Sequence, residues 1–307
     1  MTAPNQQDRD DLATDRPLSP KSFKILTPRQ EITNLEVRRA ENLPVMYTNC
    51  LGMKFVPVPV TTVRFCVYET RIRDFEVFVK ETGYDATGDM KSLRSDGWKE
   101  RGDSWRSPGF LQTRDHPVCG VSWEDAKAFC AWISKKEGRV YRLPTDLEWS
   151  KAVGLAQEQG TTPEDRSSSI PGVYPWGPSW PPFVDGRPAG NYGGEEARDG
   201  DWPDNFGVIA GYRDGFPRTS PAGSFSPNHH GLFDLSGNVW EWCEDRYKPD
   251  EVYRVMRGGS WVDGAPRAMI SHGPGHLVSA RRIMGNPRLR NAYTGFRLVL
   301  EGGVAGR

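Results

Sequence analysis

The chain has 307 residues, with 40 Lys plus Arg against 40 Asp plus Glu and therefore a formal net charge of zero. That balance supplies no global field to hold nucleic acid or an anionic membrane, so neither is expected as a partner. No apolar run approaches the roughly twenty residues of a membrane span, and the first residues lack the apolar core of a signal peptide, which makes a cytoplasmic location the expectation.

Hydrophobic residues make up only 36%, yet 11 Trp, 13 Phe and 10 Tyr bury much area each, while 33 Gly and 25 Pro predict many turns. Along the chain, residues 1–45 are polar, charged and proline-containing, a disordered or linker arm with one short helix over 31–42. An ordered domain is expected over 46–302, with 303–307 as a tail. The β-branched and aromatic stretch 63–70 reads as a strand. Residues 74–79 carry helical spacing that ends at Gly83. Ser122 three residues before Asp125, and Thr145 three before Glu148, are capping boxes that open two further helices. From 171 to 227 the chain is rich in Gly, Pro and Trp without usable periodicity, so something besides a hydrogen-bond ladder must fix it. Cys50, Cys66, Cys119, Cys130 and Cys243 are scattered with no CxxC pair, which argues against a disulfide framework or structural zinc. Cys119 and Cys130 read as buried thiols, and the nearness of His116 to Cys119 as packing.

The most informative stretch runs from Gly231 to Trp242, followed by Arg257-Gly258-Gly259-Ser260-Trp261 and Gly295-Phe296-Arg297. Trp240 and Trp242, beside Gly237 and Glu241, predict large aromatic anchors against backbone that turns tightly. In order with them come Gly52-Met53, Trp105 to Phe110, His116-Pro117-Val118, Tyr141 to Asp146, and Tyr174-Pro175-Trp176-Gly177. Over about 51–300 this series resembles the formylglycine-generating enzyme / sulfatase-modifying factor family. The resemblance implies an α+β, elaborated C-type-lectin-like (formylglycine-generating enzyme) fold with little regular secondary structure and long loops.

It also implies structural Ca2+. Asp234 and Glu241 side chains with Gly237 and Val239 carbonyls match one of the family's calcium sites; Asn191 and Asp214 side chains with Tyr192 and Phe216 carbonyls match the other. Mixed carboxylate and carbonyl oxygens suit calcium. An insert over 195–211 separates the two halves of the second set. From the residues alone, Asp234 and Glu241 serve equally well as turn caps.

For members that make formylglycine, the resemblance implies two copper(I)-binding cysteines after Gly-Gly-Ser. Asp263 and Ala268 stand there instead, and no cysteine follows Cys243. A carboxylate and a methyl give copper(I) no thiolate, so neither copper nor that activity is expected. The resemblance leaves Ser260, Asp263 and Arg282 at family active-site positions, Arg282 by its match to an active-site arginine. His272 and His276 with Asp263 could form a two-His, one-carboxylate iron site; the competing reading is two exposed loop histidines. His229 and His230 sit in a Pro- and Asn-rich turn and read as structural or surface groups.

Two functional readings follow. The first is a noncatalytic binding or recognition protein with its ligand surface over 261–293. Trp261, Arg267, His272, His276, Arg281, Arg288 and Tyr293 would line it, and Arg282 and Arg290 would add positive charge. Such a surface favours an acidic protein or peptide; the plain alternative is that Arg282 and Arg297 are internal ion-pair partners of carboxylates near Glu241. Residues 279–293 also look like the diversified segment of retroelement-encoded variable proteins. The second reading is an oxidoreductase of the formylglycine-generating or nonheme metal oxygenase type, acting by protein cysteine oxidation or iron-dependent oxidation.

Overall fold

The computed structural model describes residues 46–155, 158–167, 169–264 and 274–302. The expected arm, its helix over 31–42, the tail, Arg267, Ala268 and His272 lie outside the described residues.

Strands β1 (Tyr47–Thr48), β2 (Lys54–Pro57) and β3 (Val63–Cys66) pair antiparallel in sequence order. The strand expected to reach residue 70 stops at Cys66, because Thr70 N leaves the ladder and donates to the Phe296 carbonyl at 2.9 Å. Helix α1 (Ile72–Thr82) follows, one turn fraction earlier than its apolar spacing suggests. Asp74 accepts from the Arg71 backbone N–H at 3.1 Å and so fixes its start, and Gly83 in the left-handed region ends it. Strands β4 (Met90–Arg94) and β5 (Gly97–Glu100) form a hairpin.

Helix α2 (Trp123–Glu137) and helix α3 (Asp146–Ala152) both open on the capping boxes read from the sequence. Between them lies β6 (Tyr141–Arg142), and after them the short α4 (Pro163–Arg166). Between 171 and 227 the regular structure described is the small hairpin β7 (Phe183–Val184) and β8 (Arg187–Pro188) and a 3-10 turn over Glu195–Asp199. The last third supplies β9 (Trp240–Arg246), β10 (Arg254–Arg257), β11 (Ile283–Gly285), β12 (Arg290–Asn291), β13 (Thr294–Gly295) and β14 (Val299–Glu301).

These strands make a five-stranded sheet in the order β1-β2-β3-β14-β6 and a four-stranded sheet β11-β10-β9-β13, joined by the smaller β12-β4-β5 group. Such short strands in several sheets, with few helices, are the expected α+β pattern. Helices α1 and α2 meet through Phe75 and Phe129, stacked 5.9 Å apart, and Phe78 and Trp132 at 5.5 Å. Strand β9 divides the core by its period of two. Trp240 and Trp242 point into the cluster with Phe75, Phe129 and Phe296, whereas Cys243 joins Trp149, Leu235 and Val255. The Trp242 indole donates to the Val121 carbonyl at 2.9 Å, and Gly285 lies so close to its ring that any Cβ there would collide.

Candidate functional site

Residues 258–263 leave β10 and turn under the Trp240 indole. Ser260 and Asp263 are fully buried. Asp263 Oδ2 accepts from Ser260 Oγ at 2.6 Å and from Trp240 Nε1 at 2.8 Å, while Oδ1 lies 3.4 Å from His276 Nδ1. The structure thus brings Ser260, Asp263 and His276 together. It does not bring Arg282 to them. That guanidinium is buried elsewhere, on Asp146 (Nε to Oδ1, 2.9 Å), Glu158 (Nη2 to Oε2, 2.8 Å) and Ser150. The expected active-site arginine is therefore a structural one.

Trp261 is likewise not a surface group: it is 1% exposed, and its indole donates to the Ala292 carbonyl at 3.1 Å. Its expected place on a recognition surface is corrected by its apolar bulk, which packs against Phe110 and Trp202. Tyr293 and Arg281 are half-buried, and Arg288 is exposed. The positive charge expected across 281–290 is partly neutralised within the fold, Arg288 pairing with Glu124 at 3.1 Å and Arg290 with Asp125 at 2.7 Å.

The residues matched to calcium fall into two adjoining groups. Gly237, at φ 81, lets the 234–241 loop approach the Asn191 carbonyl and the Tyr192 ring, where a Cβ would not fit. Asp234 and Asn238 also adopt positive φ, 54 and 59, which Asp and Asn tolerate best. Glu241 is not free as a turn cap, and any ion it held would share it with Arg297. Both its oxygens face Arg297, at 2.5–2.9 Å, and Trp149 Nε1 donates to it at 3.0 Å. The internal ion pair read for Arg297 holds; the one read for Arg282 uses Asp146 and Glu158 instead.

Around this pair the charges do not balance. Glu69 is buried and holds the Asn238 amide at 2.7 Å. Burial, then Asp234 and Glu241, push its carboxyl well above the usual range. Asp234 is pushed up to about 6, first by burial, although the Gly223 N–H and Arg297 oppose the rise. Three buried carboxylates face one guanidinium. In the other group, Asp214 accepts from the N–H of Tyr192 and of Phe216, each at 2.9 Å. Burial nevertheless raises it to about 8, and Glu196 adds to the rise. Asn191 is 1% exposed, and its Oδ1 has no hydrogen-bond partner among the described residues. An orphaned buried oxygen and an excess of buried negative charge are costly to leave uncompensated, although among the described residues no group of three or more His, Cys, Asp and Glu is placed to hold a metal ion.

Sequence reasoning missed Glu69, Glu196 and the Asp146 hub. The one signal for Glu196 was an acidic pair directly after Gly193-Gly194. A pocket of about 600 Å3, floored by Leu232, Asp234 and Ser236 and walled by Pro175, Trp176 and Tyr192, was not foreseen either.

Residues 57–302 match the sulfatase-modifying factor enzyme 1-like domain. The chain belongs to that family. It is 34% identical over 207 residues to inactive C-alpha-formylglycine-generating enzyme 2 of Bos taurus, covering 65% of this chain and 56% of that protein. It is 30% identical over 297 residues to the formylglycine-generating enzyme of Thermomonospora curvata, covering 79% and 85%. The chain thus spans just over half the length of the bovine relative. Among solved structures, PvdO from Pseudomonas aeruginosa aligns over 84% of this chain and 98% of its own, with a TM-score of 0.56 at 21% identity, a likeness of fold.

Within the sulfatase-modifying factor frame, the thiolate positions fail the copper test. Asp263 is a hard ligand already engaged by two donors. Cys243 does not substitute for it: it is buried on the other face of β9, its thiol pushed far up by burial, with its Sγ toward the Glu241 carbonyl. Cys119 and Cys130 are buried as expected, and Cys119 faces Gln112 while His116 bonds Thr219 at 3.0 Å. Among the described residues no helix is long and apolar enough to cross a membrane.

Proposed function

We propose that this chain is a noncatalytic binding protein on a formylglycine-generating-enzyme scaffold, with two Ca2+ ions fixing its long loops and a ligand surface over 261–293. The observation that carries the noncatalytic half is the buried Asp263, locked by Ser260 and Trp240 where a soft metal ligand would be needed. The likeness to an inactive bovine relative agrees with it. Calcium is supported by the orphaned Asn191 oxygen and the raised Asp214 and Asp234. When bound, the ion would supply positive charge that these oxygens otherwise lack. Asn191, Asp214 and the Tyr192 and Phe216 carbonyls would hold one ion; Asp234, Glu241 and the Gly237 and Val239 carbonyls the other. Arg281, Arg288 and Tyr293 remain reachable on the proposed surface, and the arginines favour an acidic peptide or protein.

One contact favours a second reading, an iron-dependent oxygenase. His276 and Asp263 already lie side by side, and His272 would be the third ligand. Metal analysis of protein purified without chelator separates the two, followed by aerobic incubation with copper and a Cys-x-Pro-x-Arg peptide. The expected result is calcium alone and an intact peptide thiol. Conversion of the thiol to an aldehyde overturns the noncatalytic reading, and stoichiometric iron moves the assignment to the oxygenase.

A further inference from the structure

We infer that Glu196, carried by the 195–211 insert, is a direct carboxylate ligand of the cation site around Asn191 and Asp214; this rests on the calcium reading above. The insert folds back on its own base. Glu195 N donates to the Tyr212 carbonyl at 2.9 Å, and Gly211 N to Glu195 Oε1 at 2.8 Å. That closure sets Glu196 against the Asp214 turn, where its Oε1 accepts from Asp214 N at 2.5 Å and Gly215 N at 2.6 Å. Its other oxygen, Oε2, has no hydrogen-bond partner among the described residues, although Glu196 is only 5% exposed.

Glu196 packs directly on Gly194: a Cβ there would sit 2.6 Å from Glu196 Oε2 and 2.9 Å from the Tyr212 carbonyl, so only glycine lets the carboxylate lie this close to the backbone. Asn191 is in a matching state, its amide nitrogen donating to the Arg218 carbonyl at 2.6 Å and its Oδ1 orphaned. Among the described residues no Lys or Arg pairs with Glu196 or Asp214, and the neighbouring Arg213 turns away to Glu195 and Asp199. One buried carboxylate and one half-buried, with no counter-cation, leave Glu196 Oε2 and the buried Asn191 Oδ1 unpartnered, a cost that an ion or shared protons would relieve. The donors are all oxygen, mixing carboxylate, amide and carbonyl, which selects a hard divalent cation over zinc or copper. The insert therefore adds a charged ligand to the site it interrupts in sequence.

The test is calcium titration calorimetry on the chelator-stripped full chain, as wild type, Glu196→Gln and Glu196→Asp, with Asp234→Asn as the control at the other site. Terbium emission excited through Tyr192 and Trp176, whose rings lie 5.3 Å apart, reports an ion at either site, and the Asp234→Asn control separates the two. Glu196→Gln is expected to weaken one ion by about tenfold or more and to dim the sensitised emission, leaving the other ion unchanged. Should Glu196→Gln not fold, Glu196→Asp keeps the charge but withdraws the oxygen, and a weaker site is again expected. Wild-type affinity and emission in the folded variants would overturn the role of Glu196 while leaving calcium in place. A wild-type chain that binds no calcium would overturn both.

Discussion

Asp146 is fully buried and Asp214 half-buried, and the fold treats the two carboxylates in opposite ways. Asp146 is met by Arg257 at 2.5 Å, Arg282 at 2.9 Å and Arg166 at 3.1 Å. Burial alone would raise it, but the three guanidiniums win and hold it at about 2. Asp214 has backbone donors and a second carboxylate beside it, and it rises to about 8. The Glu241–Arg297 pair lies between these extremes, since its one arginine also faces Glu69 and Asp234. A carboxylate surrounded by arginine is finished as structure; one set beside another acid keeps its proton to higher pH.

The largest effect that can break this comparison is at the hub. Asp146→Asn leaves Arg257 and Arg282, both fully buried, without the charge they share, apart from Glu158 on Arg282. Removing one partner of such a buried network costs about 3–5 kcal/mol. The expected outcome is a large fall in the denaturant midpoint with the slope unchanged. A loss below about 1 kcal/mol would mean that the hub is hydrated and its balance irrelevant.

Next in size is the coupling of calcium to pH. Asp214 and Asp234 have folded values of about 8 and about 6, both above the ordinary carboxylate range. The ion-free folded chain therefore holds protons that the unfolded chain has released, so its stability falls as pH rises from about 4 to 8. Calcium needs the same oxygens deprotonated and so reverses the slope. At a hundredfold excess over its Kd, each ion adds about 2.7 kcal/mol. Melting curves with chelator and with calcium should lie close together near pH 5 and separate by several degrees toward pH 8. Parallel curves across that range would remove the charge argument for the ion sites.

The contrast also shows what was legible in advance. Local signals transferred well: Ser122 and Asp125, Thr145 and Glu148, and Gly83 are bounded by neighbours three or four residues away, so their geometry is written in the sequence. Trp240 and Trp242 were legible for the same reason, since a period of two sets their face. The arginines were not. Arg282 finds Asp146 across 136 residues and Arg290 finds Asp125 across 165, and nothing in a run of arginines tells which are consumed. Trp261 was misplaced because an aromatic beside small residues suits a binding loop and a core equally. Glu196 was hidden by the insert itself, whose fold-back depends on a bond from Gly211 to Glu195.

The smallest test sharpens the comparison inside one segment. Arg288 and Arg290 are two residues apart and each pairs with a carboxylate of α2, but Arg288 is 83% exposed and its partner Glu124 48%, whereas Arg290 is 17% exposed and Asp125 fully buried. Asp125 also caps α2 and accepts from Tyr84 at 3.0 Å, so losing Arg290 strips charge from a group the helix start depends on. Arg290→Ala should cost roughly 1–3 kcal/mol, the penalty for leaving a buried charged acceptor short of a donor. Arg288→Ala should leave the denaturation curve where it was, because an exposed pair trades equally well with water. Equal costs for the two would mean that the mere presence of an ion pair, and not the burial of its carboxylate, sets its worth, and the reading of Asp146 and Asp214 would lose its basis with it.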